Sequence, residues 1–353
     1  MPLTLLLCSL LAACPAPESD AGLAGLDAWP ASPPSGPPRQ AASAVAFPAA
    51  QASSADAASG SATGPISGYM DFHYNNPQHQ DAVLDFHRFV LLFSHGFSDR
   101  VRFVAELELE HAVVSDETDG ELELEQAYVD FLINRAFNLR AGMLLTPVGI
   151  INERHEPPVF HGVERPFVDT VIIPTTWFDT GVGVHGEVGR GFRYRAYAMA
   201  PLDASGFDAE EGLRGGRQKG AESNARSLAA TGRLEYVGAA GLVLGGSFWS
   251  GSTGFREPRF DTGLTMIELD GRYRVGELEA RAQYAHGFLE GMDELNRSVQ
   301  RTTGVSPNVA EQIRGFYLES SYFILPYPAP RELAVFLRYE NFDTQYVMPA
   351  GFQ

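Results

Sequence analysis

From Ile66 onward, apolar and polar residues alternate along most of the chain with a period of two. The clearest run contains Val101, Phe103, Ala105, Leu107 and Leu109 in alternation with Arg102, Val104, Glu106, Glu108 and Glu110. Successive side chains of a β-strand point to opposite faces, so this run predicts a strand with one apolar face and one charged face. Apolar residues show no sustained period of about 3.6, so a helical or α/β fold is not expected.

The alternation predicts about thirteen strands separated by turn-forming residues. They are Ser67–Asn75, Val83–Ser94, Val101–His111, Glu121–Ile133, Asn138–Leu145, Val182–Val188, Phe192–Pro201, Leu228–Val237, Leu242–Ser250, Gly263–Val275, Glu277–Phe288, Ile313–Leu325 and Glu332–Asn341. A slip of phase near Gln126 predicts a β-bulge. Leu289–Glu311 is polar, and we expect a long loop there. The connections alternate between short and long, which is typical of transmembrane barrels with short periplasmic turns and long extracellular loops.

Composition leaves both soluble and membrane classes open. Hydrophobic residues make up 44% of the chain, and the mean hydropathy is −0.11. A transmembrane barrel has such an average because its lipid-facing and lumen-facing residues alternate. Aromatic residues near predicted strand ends fit its interfacial girdles: Tyr69, Phe97, Phe192, Trp249, Phe288 and Tyr322. A soluble β-sandwich or propeller explains the alternation equally well but the charged strand faces less well. The prediction is an all-β fold, an antiparallel transmembrane β-barrel.

The first residues have the pattern of an export signal. Leu3–Ala13 is an apolar run that is too short to span a bilayer as a mature helix. It ends in Leu-Ala-Ala-Cys, which resembles a bacterial lipobox with Cys14 as the lipidated residue, although Lys and Arg are missing before the run. A fortuitous hydrophobic start is the alternative. We expect a signal peptide in residues 1–14, a disordered Ala/Pro/Ser-rich linker in residues 15–65, and the barrel in residues 66–353.

The stretch from Leu145 to Gly181 does not fit the strand pattern. It contains five prolines, which stop both helices and strand pairing. It is nevertheless too apolar for a solvated linker. A long ordered loop within a compact domain is usually functional, so this stretch is the first place to look for a site.

Four segments carry a resemblance to a known family. They are A-G-M-L-L-T-P-V-G-I-I-N-E-R-H-E-P-P at 141–158, G-V-E-R-P-F-V-D at 162–169, I-P-T-T-W at 173–177, and F-L-R-Y-E-N-F-D-T-Q at 336–345. Through them the chain resembles, from about Ser67 to its end, the phosphate-selective porin O and P family of bacterial outer membranes. The resemblance implies a porin-like barrel in outer-membrane lipid, a homotrimer, and an inward constriction loop at residues 146–180.

Two features depart from the family pattern. Lys219 is the only lysine in a chain of formal charge −18, whereas members known for phosphate uptake have a lysine-rich lumen, so phosphate selectivity is not carried over. The last residues, Val347–Gln353, look like a loop, whereas outer-membrane barrels close with a final strand and have an even strand number. We therefore expect about 16 strands in the complete barrel and a truncation here, the alternative being a smaller barrel with one strand overlooked.

Charged residues of the loop and of the polar strand faces are the candidate site. The candidate constriction residues are Glu153, Arg154, His155, Glu164, Arg165 and Asp169. The candidate lumen-wall residues are Arg102, Glu106, Glu108, Arg140, Arg193, Arg195, Arg281 and Arg338. Facing arginines and carboxylates set a transverse field that filters solutes, and we expect Arg154 and Arg165 near the narrowest point. The alternative is that these charges pin the loop to the wall, because buried charges need partners.

These features predict an outer-membrane porin for passive diffusion of small hydrophilic solutes or ions, with anions and phosphate left open. No covalent chemistry and no cofactor are expected, and the acidic charge argues against nucleic acid as a partner. The residues His155, His161, Glu156 and Glu164 match no standard metal-ligand spacing, so no metal is expected. Two alternatives stay open: a non-conducting outer-membrane lipoprotein or adhesin, and a barrel-embedded hydrolase, for which no nucleophile motif is present.

Overall fold

The computed structural model describes residues 65–79, 81–115, 120–254, 261–325 and 332–352. The predicted signal peptide and, apart from Pro65, the predicted linker lie outside these residues. Within these ranges thirteen strands form one antiparallel sheet in which each strand pairs with the next along the chain. They are β1 (Ile66–Asn75), β2 (Val83–Ser98), β3 (Val101–Glu110), β4 (Leu122–Leu132), β5 (Asn138–Leu145), β6 (Phe178–Val188), β7 (Phe192–Met199), β8 (Ala229–Ala239), β9 (Leu242–Ser252), β10 (Gly263–Val275), β11 (Leu278–Glu290), β12 (Gln312–Phe323) and β13 (Ala334–Val347). The all-β prediction and its strand pattern are confirmed.

The bulge predicted near Gln126 is present in β4. In the β3–β4 ladder, Glu106 lies opposite Gln126 and Leu107 lies opposite Leu124, so Glu125 is the extra residue. A bulge re-aims the side chains around its extra residue. Glu125 and Gln126 are both buried, so the bulge brings two consecutive polar side chains to the inner face of the sheet.

The sheet has a polar inner face and an apolar outer face, the reverse of a soluble protein. Along β10 the buried side chains include Glu268, Arg272 and Arg274, and the exposed ones include Ile267, Leu269, Tyr273 and Val275. Leu269 exposes 64% of its surface, whereas its neighbour Glu268 exposes 1%. This alternation of buried polar and exposed apolar side chains is typical of a membrane barrel, whose outer face contacts lipid and whose inner face is polar.

One prediction is wrong, because Leu289–Glu311 is not only a loop. It contains the helix α1 (Met292–Thr303). Met292, Leu295 and Val299 recur at helical spacing on α1 and pack into the apolar core. Three apolar residues in a polar segment are a weak periodic signal, and their burial depends on tertiary contacts. No helix within the described ranges is long and apolar enough to cross a bilayer.

The connection between β5 and β6, residues 146–177, lies against the inner face of the sheet, and we call it the inner loop. Three short helical turns shape it: Asn152–Arg154, Pro157–Val159 and Val168–Ile172. Its residues Val148, Val168, Ile172, Ile173 and Trp177 pack with α1 and with residues of β8–β12 into one buried apolar core. The rings of Trp177 and Trp249 on β9 are 5.5 Å apart within this core. This core fills the interior beside β8–β12.

The sheet curls around the inner loop. The Glu164 carboxylate lies 3.9 Å from His73 of β1, and the Phe167 N–H donates to the Glu340 carboxylate of β13 at 2.7 Å. The loop therefore contacts both end strands of the sheet. Within the described residues, β1 and β13 are each paired on one side only, and the expectation of about 16 strands stays a prediction.

Candidate functional site

The inner loop is closed at its base by Asn152, whose side chain is fully buried. The Asn152 amide donates to the carbonyl oxygens of Thr146 at 2.7 Å and Trp177 at 2.8 Å. The Asn152 side-chain oxygen accepts from the Trp177 N–H at 2.7 Å. Because an asparagine side chain donates and accepts at once, it joins the first and last residues of the loop.

Glu153 and Arg154 connect the loop to β7 and β8. Arg195 of β7 donates through Nε to both Glu153 carboxylate oxygens at 2.8 Å, and through its other nitrogens to Glu235 of β8 at 3.0 and 3.1 Å. The Arg154 guanidinium lies 3.9 Å from Glu235. Burial lowers the pKa of Arg154, and the Glu235 carboxylate opposes that shift. Two loop charges and two wall charges thus form one network with alternating signs.

His155 holds the loop to the opposite wall. Its Nε2 atom lies 2.8 Å from Glu125 of β4, and its Nδ1 atom lies 3.2 Å from the Asn152 carbonyl oxygen. Burial lowers the pKa of His155, but the Glu125 carboxylate outweighs burial, and the pKa is raised to about 9. The ring is therefore an imidazolium at neutral pH and donates at both nitrogens. Glu106 adds further negative charge that stabilises it.

Gln283 of β11 holds the loop from the other side of the barrel. The Ile150 N–H donates to Gln283 Oε1 at 2.8 Å, and Gln283 Nε2 donates to Asp169 Oδ1 at 2.8 Å. Burial raises the pKa of Asp169 to about 7, although the hydrogen bond from Gln283 lowers it. One side chain therefore joins two parts of the loop that are far apart in sequence.

Two wall arginines donate to loop carbonyl groups. Arg281 of β11 donates to the Val159 carbonyl oxygen at 2.6 Å, and Arg338 of β13 donates to that of His161 at 2.6 Å. Glu319 of β12 lies between them, 2.7 Å from Arg338 and 3.8 Å from Arg281. Together with Glu279, 2.5 Å from Arg281, and Glu340, 3.3 Å from Arg338, it balances both guanidinium charges while they hold the loop.

The remaining predicted wall arginines pair within the wall. Arg102 and Arg140 both contact the buried Asp130 of β4, at 3.0 and 2.7 Å. Arg193 lies 3.0 Å from Glu187, next to the short turn between β6 and β7. These contacts lie on the inner face away from the loop.

A cavity of about 550 Å³ lies between the inner loop and strands β1–β4. Its carboxylates are Asp71, Glu108, Glu110, Glu121, Glu123, Glu125 and Glu164, and its permanent cations are Arg88, Arg165, Arg214, Arg217 and Lys219. Most of the acids belong to β3 and β4 or precede β4 directly. Four of the five cations belong to the inner loop or to the connection between β7 and β8. The cavity therefore has an acidic wall that faces a basic one.

The basic wall carries three arginines that donate to backbone or hydroxyl oxygens. Arg165 donates to the His155 carbonyl at 3.3 Å and the Thr176 hydroxyl at 3.2 Å. Arg217 donates to the Thr176 carbonyl at 2.5 Å, and Arg214 to the Thr175 carbonyl. Burial and then the neighbouring Arg214 lower the pKa of Arg217 to about 10. These contacts orient the guanidinium groups without neutralising them.

The predicted loop residues fall into two sets. Glu164 and Arg165 line the cavity, and the Glu164 side chain is 78% exposed. Glu153, Arg154, His155 and Asp169 lie between the loop and the wall. The sequence reasoning missed Asn152, Gln283, Glu125 and the basic residues of the β7–β8 connection. The bulge at Gln126 was a usable signal for Glu125, whereas the others had no local signal.

The sequence is similar to a known protein family and to a protein from another organism. The family model for phosphate-selective porin O and P matches residues 66–264. A protein of Aquifex aeolicus (strain VF5) is 34% identical over 300 residues, which cover 82% of this chain and 68% of that protein.

Solved structures of outer-membrane proteins are also similar. OmpT of Vibrio cholerae, folded in vitro, has a TM-score of 0.47 and 10% identity, over 78% of this chain and 74% of that chain. The anion-selective porin from Comamonas acidovorans has a TM-score of 0.35 and 13% identity, over 79% of this chain and 89% of that chain. On the strength of the family model, this β-barrel chain with a polar interior belongs to the phosphate-selective porin O and P family, whose members are channels of the bacterial outer membrane rather than enzymes.

Proposed function

We propose that the protein is a passive pore for small hydrophilic solutes and ions, which cross through the cavity between the inner loop and β1–β4. The observation that carries this proposal is the cavity, about 550 Å³ lined by charges of both signs. It lies on the side of the barrel away from the apolar core of the loop, α1 and β8–β12. A passage narrowed in this way selects solutes by size and by the charges of its lining.

The loop charges have two roles in this proposal. Glu164 and Arg165 face the passing solute, because both line the cavity. Glu153, Arg154, His155 and Asp169 hold the loop in place through the wall contacts given above. The sequence predicts Arg154 near the narrowest point of the pore, and this is the role that the proposal changes most. The Arg154 side chain is 12% exposed beside Glu235, so we assign it to bracing and not to the narrowest point.

Weak cation preference is the selectivity that the charges favour. Seven carboxylates and five Arg or Lys side chains line the cavity, and the chain as a whole carries a formal charge of −18. Such an acidic surface attracts small cations and repels anions before they enter. Passage of anions such as phosphate is the second candidate. It is favoured by Arg165, Arg214 and Arg217, which share one wall.

Bilayer recordings of the full chain test both candidates through the reversal potential in a KCl gradient. Arg165→Ala removes a positive charge and should increase the cation preference, whereas Glu123→Gln should decrease it. Arg135→Ala is the matched control, since this arginine is 78% exposed on a short turn and should leave the potential unchanged. A silent wild-type protein would refute the pore and favour the lipoprotein or adhesin. A wild type that prefers anions would favour the second candidate.

We also propose that three copies assemble into a trimer, as the family resemblance implies. The apolar outer face offers surface for contacts between copies as well as for lipid. Chemical cross-linking of the detergent-solubilised protein tests this directly. A ladder that ends at three subunits supports the trimer, and a single monomer band contradicts it.

A further inference from the structure

The tripeptide Asp-Phe-His occurs twice near the start of the barrel, as residues 71–73 in β1 and 85–87 in β2. In both copies the phenylalanine is exposed, and the aspartate and histidine are half-buried on the inner face. His73 lies opposite Asp85 in the β1–β2 ladder, and a third histidine, His111, directly follows β3. Three neighbouring strands therefore bring Asp71 and the three histidines to the lining of the cavity, at the end of the barrel with the long connections, and Asp85 lies next to His87 and His111.

Asp85 is the shared partner of two of these histidines. Its Oδ2 atom lies 2.9 Å from His111 Nδ1 and 3.5 Å from His87 Nδ1. One donor atom from each of the three residues lies within 4.8 Å of the other two. Four donor atoms placed about 2.0–2.1 Å around one zinc ion lie roughly 3.4 Å apart. The triad thus has nearly the spacing of a ligand set.

We propose that Asp85, His87 and His111 bind a divalent transition-metal ion of the zinc class, with a fourth ligand position open to the cavity. Two imidazole nitrogens favour Zn²⁺, Ni²⁺ or Cu²⁺ over Mg²⁺ and Ca²⁺, which prefer oxygen ligands. The His73 ring stacks on the His87 ring with centroids 4.2 Å apart, and this contact orients His87. The site does not depend on whether the cavity conducts.

Arg88 is the group that competes with an ion for His87. Its Nη2 atom lies 3.1 Å from His87 Nε2, and that hydrogen bond requires the imidazole proton to be on Nδ1, facing Asp85. An ion at Nδ1 displaces this proton to Nε2, so the Arg88 contact is lost. Arg88 keeps Glu108 at 3.3 Å and Glu110 at 3.5 Å, so its charge stays balanced.

A second cluster, Glu106, Glu125 and His155, also has three donor atoms within 4.8 Å of one another. It differs because all three residues are fully or almost fully buried. The His155 imidazolium already supplies the positive charge that the two carboxylates need. The proposal is therefore confined to the triad at the cavity, which an ion can reach from solvent.

Zinc titration of the refolded full chain, free of any histidine tag, tests the proposal. Calorimetry should give one Zn²⁺ site per chain that excess Ca²⁺ does not occupy, and Co²⁺ should give the absorption of a four-coordinate ion. Asp85→Asn, His87→Ala and His111→Ala should each weaken Zn²⁺ binding by more than about tenfold, since even loss of an outer-shell partner costs roughly 10- to 100-fold.

His95→Ala is the matched control, because this histidine of β2 lies outside the triad and contacts Phe97. It should bind Zn²⁺ like the wild type. Heat-modifiable migration in gels establishes that each variant is folded, and the near-isosteric Asp85→Asn keeps the test decisive if a histidine variant fails to fold. Equal Zn²⁺ affinity in the wild type and Asp85→Asn, or displacement of Zn²⁺ by Ca²⁺, would overturn the proposal.

Discussion

Asn152→Ala perturbs the inner loop most directly. The substitution removes three buried hydrogen bonds, two donated by the side-chain amide and one accepted from the Trp177 N–H. A buried hydrogen bond contributes about 1 kcal/mol net, so docking of the loop should weaken by about 3 kcal/mol. Since about 1.4 kcal/mol corresponds to a factor of ten, the ratio of undocked to docked loop should rise roughly 100-fold.

Single-channel recording and thermal unfolding measure this effect. We expect Asn152→Ala to have larger and noisier conductance steps than the wild type and a lower unfolding temperature. Asn134→Ala is the control, because the Asn134 side chain also accepts from two backbone N–H groups, of Ala136 and Phe137, but in an exposed short turn. Wild-type conductance and stability in Asn152→Ala would refute the reasoning that this residue closes the loop.

Three further predictions concern the same loop. Gly149→Ala should destabilise the protein by more than about 1 kcal/mol, because Gly149 has a φ of +79° and a Cβ would lie 2.9 Å from Ile173. Denaturant unfolding measures this effect, and an unchanged unfolding midpoint would contradict the prediction. The raised pKa of His155, about 9, contributes stability that is fully present below its ordinary value near 6.5 and lost as pH rises through about 9. The unfolding temperature should therefore fall more between neutral and alkaline pH in the wild type than in His155→Gln. An equal fall in both proteins would count against the ion pair of His155 with Glu125. Arg195→Met leaves two carboxylates, Glu153 and Glu235, without their shared cation and should lower the free energy of unfolding by roughly 3–5 kcal/mol. Arg193→Met, next to the short turn between β6 and β7, should lower it far less in the same unfolding assay.

Local alternation by itself determined the strands and their polar face. The bounds of Asn138–Leu145 and Gly263–Val275 agree with the predicted ones, and the bulge near Gln126 was visible as a break in phase. This works because successive side chains of a strand point to opposite faces whatever the rest of the sheet does. The proline-rich stretch after β5 was likewise recognisable, since prolines interrupt strand pairing wherever they occur.

Only the tertiary structure decided which charges meet. Arg154 and Arg165 have the same chemistry in the same loop, yet one lies beside Glu235 and the other lines the cavity. Ile150 finds its partner Gln283 at a separation of 133 residues, and α1 is buried by contacts from distant strands. Burial and charge pairing depend on neighbours that the curled sheet brings together. A local sequence pattern carries no information about those neighbours, so it predicted the charged residues of the loop without their partners.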